Sequence, residues 1–307
     1  MNSENWRIAG DGVELAVYRW GNPQGIPLLL VHGYPDNHHI WLPLIEQLAG
    51  EFQLFAYDVR GCGHSARPAR LRDYQLPHLS RDLQAVIRAV SPDRPVHLLA
   101  HDWGSIQSWE TVTEPHCADL LASYTSLSGP CLDHVGHWLR ARLQQRSAAG
   151  LRSVAKQLLQ SWYIALFHLP WLPELTWRLG LARYWPQVVR RLEGSRLASN
   201  PQQLADGCHG IALYRANFIR CLYNPRARYT QVPVQLLVPS ADRFVNPRLF
   251  DDLAHRATVL VHETLVPPAD SAGYSEQQID EWRTEYDVTT SLRALGHEGW
   301  KRLLSGH

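Results

Sequence analysis

The residues best placed to do chemistry lie in Val96-His97-Leu98-Leu99-Ala100-His101-Asp102-Trp103-Gly104-Ser105. A short apolar run reads as a buried strand, a turn falls between the small residues Ala100 and Gly104, and a helical pattern follows. Small-x-nucleophile-x-small is the layout of a strained strand-to-helix turn that lifts one side chain above a sheet. Here the lifted residue is Asp102. A serine at that point would transfer acyl groups, whereas a carboxylate attacks carbon by displacement and leaves an alkyl ester on the protein. The competing reading is that Asp102 only caps the helix after it, a common use of aspartate. Ser105 falls on the helix and off the turn, which argues against it as the nucleophile.

Two further loops could serve such a nucleophile. His32-Gly33-Tyr34-Pro35 follows the apolar run Ile26 to Val31. The backbone N–H groups of Tyr34 and Trp103 are candidates for an oxyanion hole; alone, His-Gly-x-Pro is equally a plain turn. Asp58-Val59-Arg60-Gly61-Cys62-Gly63-His64-Ser65 is glycine-rich, but it lacks dinucleotide-binding spacing and a phosphate-loop lysine. It reads as a structural turn bracing the site.

The elements that must position these loops follow a βαβα rhythm. Val13–Trp20, Ile26–Val31, Phe52–Tyr57, Val96–Ala100, Ala122–Leu127 and Gln235–Pro239 read as strands, and Trp41–Ala49, His78–Val90 and Gly104–Thr113 as helices. Continuous apolar strands separated by helices imply an α/β fold, a mostly parallel, doubly wound sheet that binds ligands beyond its carboxyl edge. The rhythm stops at Gly129-Pro130 and resumes at Val232-Pro233. We therefore expect a core of residues 1–129 and 232–307 with an inserted helical lid over 130–231. The insertion holds Trp138, Trp162, Trp171, Trp177 and Trp185. It carries fourteen Lys and Arg against four Asp and Glu, an excess of ten positive charges that is either a solvated helix face or a draw for an anionic substrate or membrane surface.

Composition narrows the function classes. The 307 residues are 45% hydrophobic and 19% charged with a formal net charge of +1, which speaks against nucleic acid as a partner. Five cysteines, Cys62, Cys117, Cys131, Cys208 and Cys221, are scattered without CxxC pairing, as expected of a reducing compartment. The polar start of the chain shows no signal peptide and no run is long enough to span a membrane, so a cytoplasmic location is expected. His134 and His137 sit three apart without a third ligand nearby, and no metal or cofactor is expected.

Taken in order and spacing, His-Gly-x-Pro at 32, Asp-x-Arg-Gly-x-Gly-x-Ser at 58 and His-Asp-Trp-Gly at 101 resemble the epoxide hydrolases of the α/β-hydrolase superfamily. The similarity runs from about residue 6 to residue 255. It is greatest to the hydrolase half of two-part proteins that also carry a short-chain dehydrogenase; these residues match only that first half. Ala100 replaces the usual glycine before the turn. The resemblance implies an α/β-hydrolase fold and ring opening of a small lipophilic epoxide to a vicinal diol. It implies that Tyr163, in Ser161-Trp162-Tyr163, and Tyr214, in Leu213-Tyr214-Arg215, hydrogen-bond the oxirane oxygen. Read without it, both are simply packed lid tyrosines. His32, Pro35, Trp103 and Trp162 are expected to line the substrate. A haloalkane dehalogenase shares the aspartate but usually places Asn, not Tyr34, after His-Gly. A binding protein without turnover is the other alternative. An epoxidised fatty acid is one substrate the basic lid would suit.

An ester on Asp102 needs a histidine to activate water and a carboxylate to orient that histidine. The resemblance points to Asp242 as the acid. The window expected for its histidine, Pro267 to Ala272, contains none. His297, in Gly296-His297-Glu298, fits if Val288–Leu295 is the last strand; His262 comes early, at the end of an apolar run. Asp270, 27 residues before His297, is a second acid. A divergent or frame-shifted segment from about residue 257 is the remaining reading. The assignment carried forward is His297 with Asp242.

Overall fold

The computed structural model describes residues 3–193, 200–239, 245–250, 253 and 260–265. Eight strands form one sheet: β1 (Glu4–Ala9), β2 (Glu14–Gly21), β3 (Ile26–Val31), β4 (Phe52–Tyr57), β5 (Val96–His101), β6 (Leu121–Leu127), β7 (Val234–Pro239) and β8 (Leu260–Leu265). Their order is β1-β2-β4-β3-β5-β6-β7-β8. Only the β1–β2 and β2–β4 pairs are antiparallel, so the sheet is parallel from β4 to β8.

Alternation along the strands splits the core in two. Leu28 and Leu30 of β3 face a cluster with Trp41, Ile45 and Leu48, built on α1 (Leu42–Leu48). Leu29 and Val31 face the other side, where α2 (Leu76–Val90) and α3 (Trp103–Val112) pack. Both faces are covered, which is why the central strands read as unbroken apolar runs. β1 was not anticipated from the sequence; it is an edge strand whose residues are exposed or half-buried, so it lacks a strong apolar signal.

Between β6 and β7 the described residues form the α-helices α4 (Leu132–Gln144), α5 (Ala148–Gln160), α6 (Trp162–Phe167), α7 (Leu172–Thr176), α8 (Ala182–Glu193) and α9 (Gln203–Tyr223). α9 is the spine, with α4, α6, α7 and α8 packed on it. Because β6 and β7 are parallel, the chain leaves the sheet at its carboxyl edge and must travel back to the opposite edge before β7. Residues 224–233 make that journey alongside α3. Arg226 and Arg228 pair with Glu110 at 2.8 and 2.5 Å and with Asp133 at 3.1 and 2.9 Å, and Thr230 Oγ1 donates to the Val112 carbonyl. His134 and His137 face the carbonyls of Arg228 and Arg226, a structural use of both imidazoles. Among the described residues no helix is long and apolar enough to cross a membrane, and no cluster could hold a metal ion.

Candidate active site

Asp102 follows the last residue of β5 and precedes the first of α3. Its φ of 52° and ψ of −123° lie in a region L-residues rarely adopt, the strain expected of a turn that aims one side chain away from the sheet. The turn closes only because its neighbours are small. A Cβ on Gly104 would lie 2.2 Å from the Val31 carbonyl oxygen, and one on Gly33 would lie 2.4 Å from Asp102 Oδ1. As an ordinary N-cap, the Asp102 carboxylate would accept from the first turn of α3, and it makes no such bond. It accepts instead from the Tyr34 backbone N–H, 2.8 Å from Oδ1. The cap reading therefore lacks its defining bond, and the Tyr34 N–H is brought directly to the Asp102 carboxylate. Trp103 opens α3, so its N–H is one of the donors a helix start leaves without an intrahelical partner.

Over the carboxylate sits a cage of aromatic rings. Tyr214, on α9, lies edge-on to Trp103 at 5.0 Å, to Tyr34 at 5.3 Å and to Tyr163 of α6 at 6.0 Å between centroids. Phe167 packs against Tyr163, Tyr214 and Tyr34, and Phe218 stacks on Tyr214 at 5.4 Å. Burial first, then the neighbouring Tyr163, Asp102 and Tyr34, pushes the Tyr214 phenol well above its ordinary range. It therefore holds its proton at any working pH and acts as a donor. Phe167 and Phe218, each four residues after a lid tyrosine, were not anticipated. That spacing on a helix puts both members of a pair on one face and was the available signal.

Tyr34 also binds the cap through its ring. Its hydroxyl donates to the Gly207 carbonyl at 2.9 Å and accepts from the Trp177 indole at 2.8 Å. Pro35 is buried behind it, its carbonyl accepting from Gln203 at 2.8 Å. A second tie uses Asp206 of α9, which accepts from Asn37 Nδ2 at 2.9 Å and from the Gly63 N–H at 2.8 Å.

Two expected substrate contacts need correction. His32 is fully committed to the loops: the Val59 N–H donates to Nε2 at 2.9 Å, which leaves Nδ1–H to donate to the Gly33 carbonyl at 2.9 Å. Burial lowers its pKa, consistent with a neutral ring acting as a strut. Trp162 is 64% exposed, because the next residue on the helix, Tyr163, takes the inward direction. The Asp58 loop is the brace expected of it. Its carboxylate accepts from the His38 N–H and Nδ1, the Tyr18 hydroxyl and the His64 N–H. Burial raises its pKa, but the His38 hydrogen bond and charge, the His32 charge and the His64 N–H together outweigh burial and hold it well below the usual carboxylate range. Asp242, Asp270 and His297 lie outside the described residues, as does 288–295. His262 is placed within β8, opposite Leu236 of β7, rather than after a strand end.

A family model described as alpha/beta hydrolase fold matches residues 26–264. The chain belongs to the α/β-hydrolase fold family. A relative named "Probable oxidoreductase EphD" from Mycobacterium tuberculosis is 37% identical over 252 residues, covering 80% of this chain and 42% of that protein. The chain thus spans less than half the length of this relative. "Epoxide hydrolase 3" of Xenopus tropicalis is 31% identical over 169 residues, 55% of this chain and 42% of that one. Among solved α/β-hydrolase structures, an epoxide hydrolase of Bacillus megaterium with an inhibitor superposes with a TM-score of 0.68 at 21% identity, covering 92% of this chain and 99% of that one. At that identity the likeness concerns the fold.

Proposed function

We propose that this α/β-hydrolase converts a lipophilic epoxide to a vicinal diol. The observation that carries the reading is the pairing of a positive-φ carboxylate, Asp102, with two cap phenols gathered in one aromatic cage. In the first step Asp102 attacks an oxirane carbon and the C–O bond breaks. Tyr163 and Tyr214 donate hydrogen bonds to the departing oxygen, and one phenol gives up its proton as alkoxide, a stronger base, develops. The product is an alkyl ester on Asp102. In the second step water adds to the ester carbonyl, whose oxygen is held by the Tyr34 and Trp103 N–H groups; collapse breaks the acyl–oxygen bond, one water proton passes by way of the base to the leaving diol oxygen, the other returns to the phenolate, and the carboxylate is restored. The base that takes the proton from water is assigned to His297, on its place after an expected last strand, oriented by Asp242, the acid the resemblance implies. Named epoxide hydrolases among the relatives support the reaction class.

Halide displacement from a haloalkane is the second reading, resting on the buried Trp103 indole N–H, which forms no hydrogen bond of normal geometry among the described residues although the Tyr214 hydroxyl lies near it. Release of halide from a haloalkane panel, without diol from epoxides, would select it.

Incubation with a lipophilic epoxide followed by intact-mass measurement, with diol assayed in parallel, tests the proposal. Diol formation, and its loss together with any adduct in Asp102→Ala, is the expected result. In single-turnover hydrolysis in oxygen-labelled water the first diol should carry unlabelled oxygen from Asp102. Retained turnover in Asp102→Ala sinks the mechanism. A lasting adduct without diol would locate the fault in the water-activating half.

A further inference from the structure

The cap helix α5 is turned inside out. Val154 and Gln157 are its buried long side chains, while Leu151, Ala155, Leu158 and Leu159 face solvent, Leu158 at 61% and Leu159 at 75% exposure. A surface helix ordinarily hides its apolar stripe and shows its polar one. The pattern continues over α6 and α7, which pack in turn on α5 and on each other. Trp162 and Leu169 are exposed there, and Leu172, Leu175 and Leu179 form an outward stripe at i, i+3 and i+7. At the tip between α6 and α7, Trp171 is 82% exposed on a left-handed backbone with φ of 60°. Both its exposure and its conformation cost free energy.

What covers this face is indicated by its charge. Over residues 148–181, which hold this face, the basic side chains are Arg152, Lys156 and Arg178, all exposed, and the sole acid is Glu174. Glu174 is neutralised within the cap by Arg215 at 2.5 Å. A protein interface of ordinary kind would mix charges at its rim. An apolar face that carries exposed Arg and Lys in excess of acids, with tryptophan at its tip, has the chemistry of a helix face lying in the headgroup layer of an anionic bilayer.

We propose that the outer face of α5–α7 docks the protein on the surface of an anionic lipid membrane, the leucines and Trp171 entering the acyl boundary and the Arg and Lys side chains meeting lipid phosphates. The site is on the outside of the cap, and the inference stands independently of the reaction assigned to Asp102.

Co-sedimentation with vesicles of phosphatidylglycerol and phosphatidylcholine, against vesicles of phosphatidylcholine alone, tests it. Binding to the anionic vesicles is expected, weakened by salt and reduced roughly fivefold for each basic residue neutralised near the surface, as in Arg152→Gln or Lys156→Gln. The variant Leu158→Ser/Leu159→Ser/Trp171→Ser should lose binding at least tenfold while keeping its circular dichroism and melting temperature. No binding to either vesicle overturns the proposal, as does binding that survives the triple substitution. If sedimentation velocity shows that the substitutions abolish a dimer and leave lipid binding untouched or absent, the face is a self-interface and the proposal is wrong.

Discussion

In the proposed reaction Tyr163 and Tyr214 do the same work from different helices, and this sets the expected cost of removing either. Phenylalanine keeps the ring that packs the cage and deletes the proton. A single Tyr214→Phe or Tyr163→Phe change should lower kcat for diol formation by about a hundredfold to ten-thousandfold, the usual worth of one general acid, with folding intact. The double variant should fall further, measured as initial diol release at saturating epoxide. Equal rates in wild type and double variant would mean the phenols only pack. At this scale the sequence was readable where a motif gives a residue its place, as for Asp102 and Tyr34. It misled where direction matters: Trp162 and Tyr163 are adjacent, and the apolar pattern of a six-residue helix does not say which faces in. His32 misled for another reason, since its two backbone partners, Val59 and Gly33, are visible only once the loops are folded together.

Among elements, the return segment 224–233 was the least legible. The strands and helices of the core announce themselves by period, but Arg228 and Glu110 stand 118 positions apart, and nothing local marks them as partners. Arg228 lies among the carboxylates of Glu110 and Asp133, with Arg226 beside it and all but Arg226 buried. Removing the central cation leaves buried like charges facing one another. Arg228→Ala is expected to destabilise the protein by about 3–5 kcal/mol, read from the urea unfolding midpoint. Adding Asp133→Asn should recover part of that loss, because it removes one of the charges left uncompensated. A midpoint unchanged by Arg228→Ala would show that the segment is held by its apolar contacts instead.

Across the whole molecule, buried imidazoles set the acid limit of stability. Burial pulls His97 and His101 down to about 4 from an ordinary 6.5. As pH falls from about 6.5 to 4, the unfolded chain gains a proton at each, while the folded chain does not. The unfolded state then binds more protons, so stability falls with pH across that window. Asp58, held below the usual carboxylate range, extends the loss at still lower pH. Urea midpoints at pH 7, 5.5 and 4.5 should fall in that order, and His97→Asn should flatten the slope. A midpoint independent of pH over this range would contradict the neutral burial of both rings.

Tyr34 ties the covalent state of the nucleophile to the anchorage of the cap. Its N–H binds a charged carboxylate at rest, whereas its ring hydroxyl and the Trp177 indole hold the cap. Once Asp102 is esterified that acceptor is neutral, and a charge-assisted hydrogen bond becomes an ordinary one, about half as strong. The residue that clasps the cap is thus relaxed by the first chemical step and tightened again by the second. By linkage, whatever ligand grips the cap must in return shift the ease of alkylating Asp102 in the proposed reaction, so the enclosure over the substrate and the carboxylate beneath it keep time with each other.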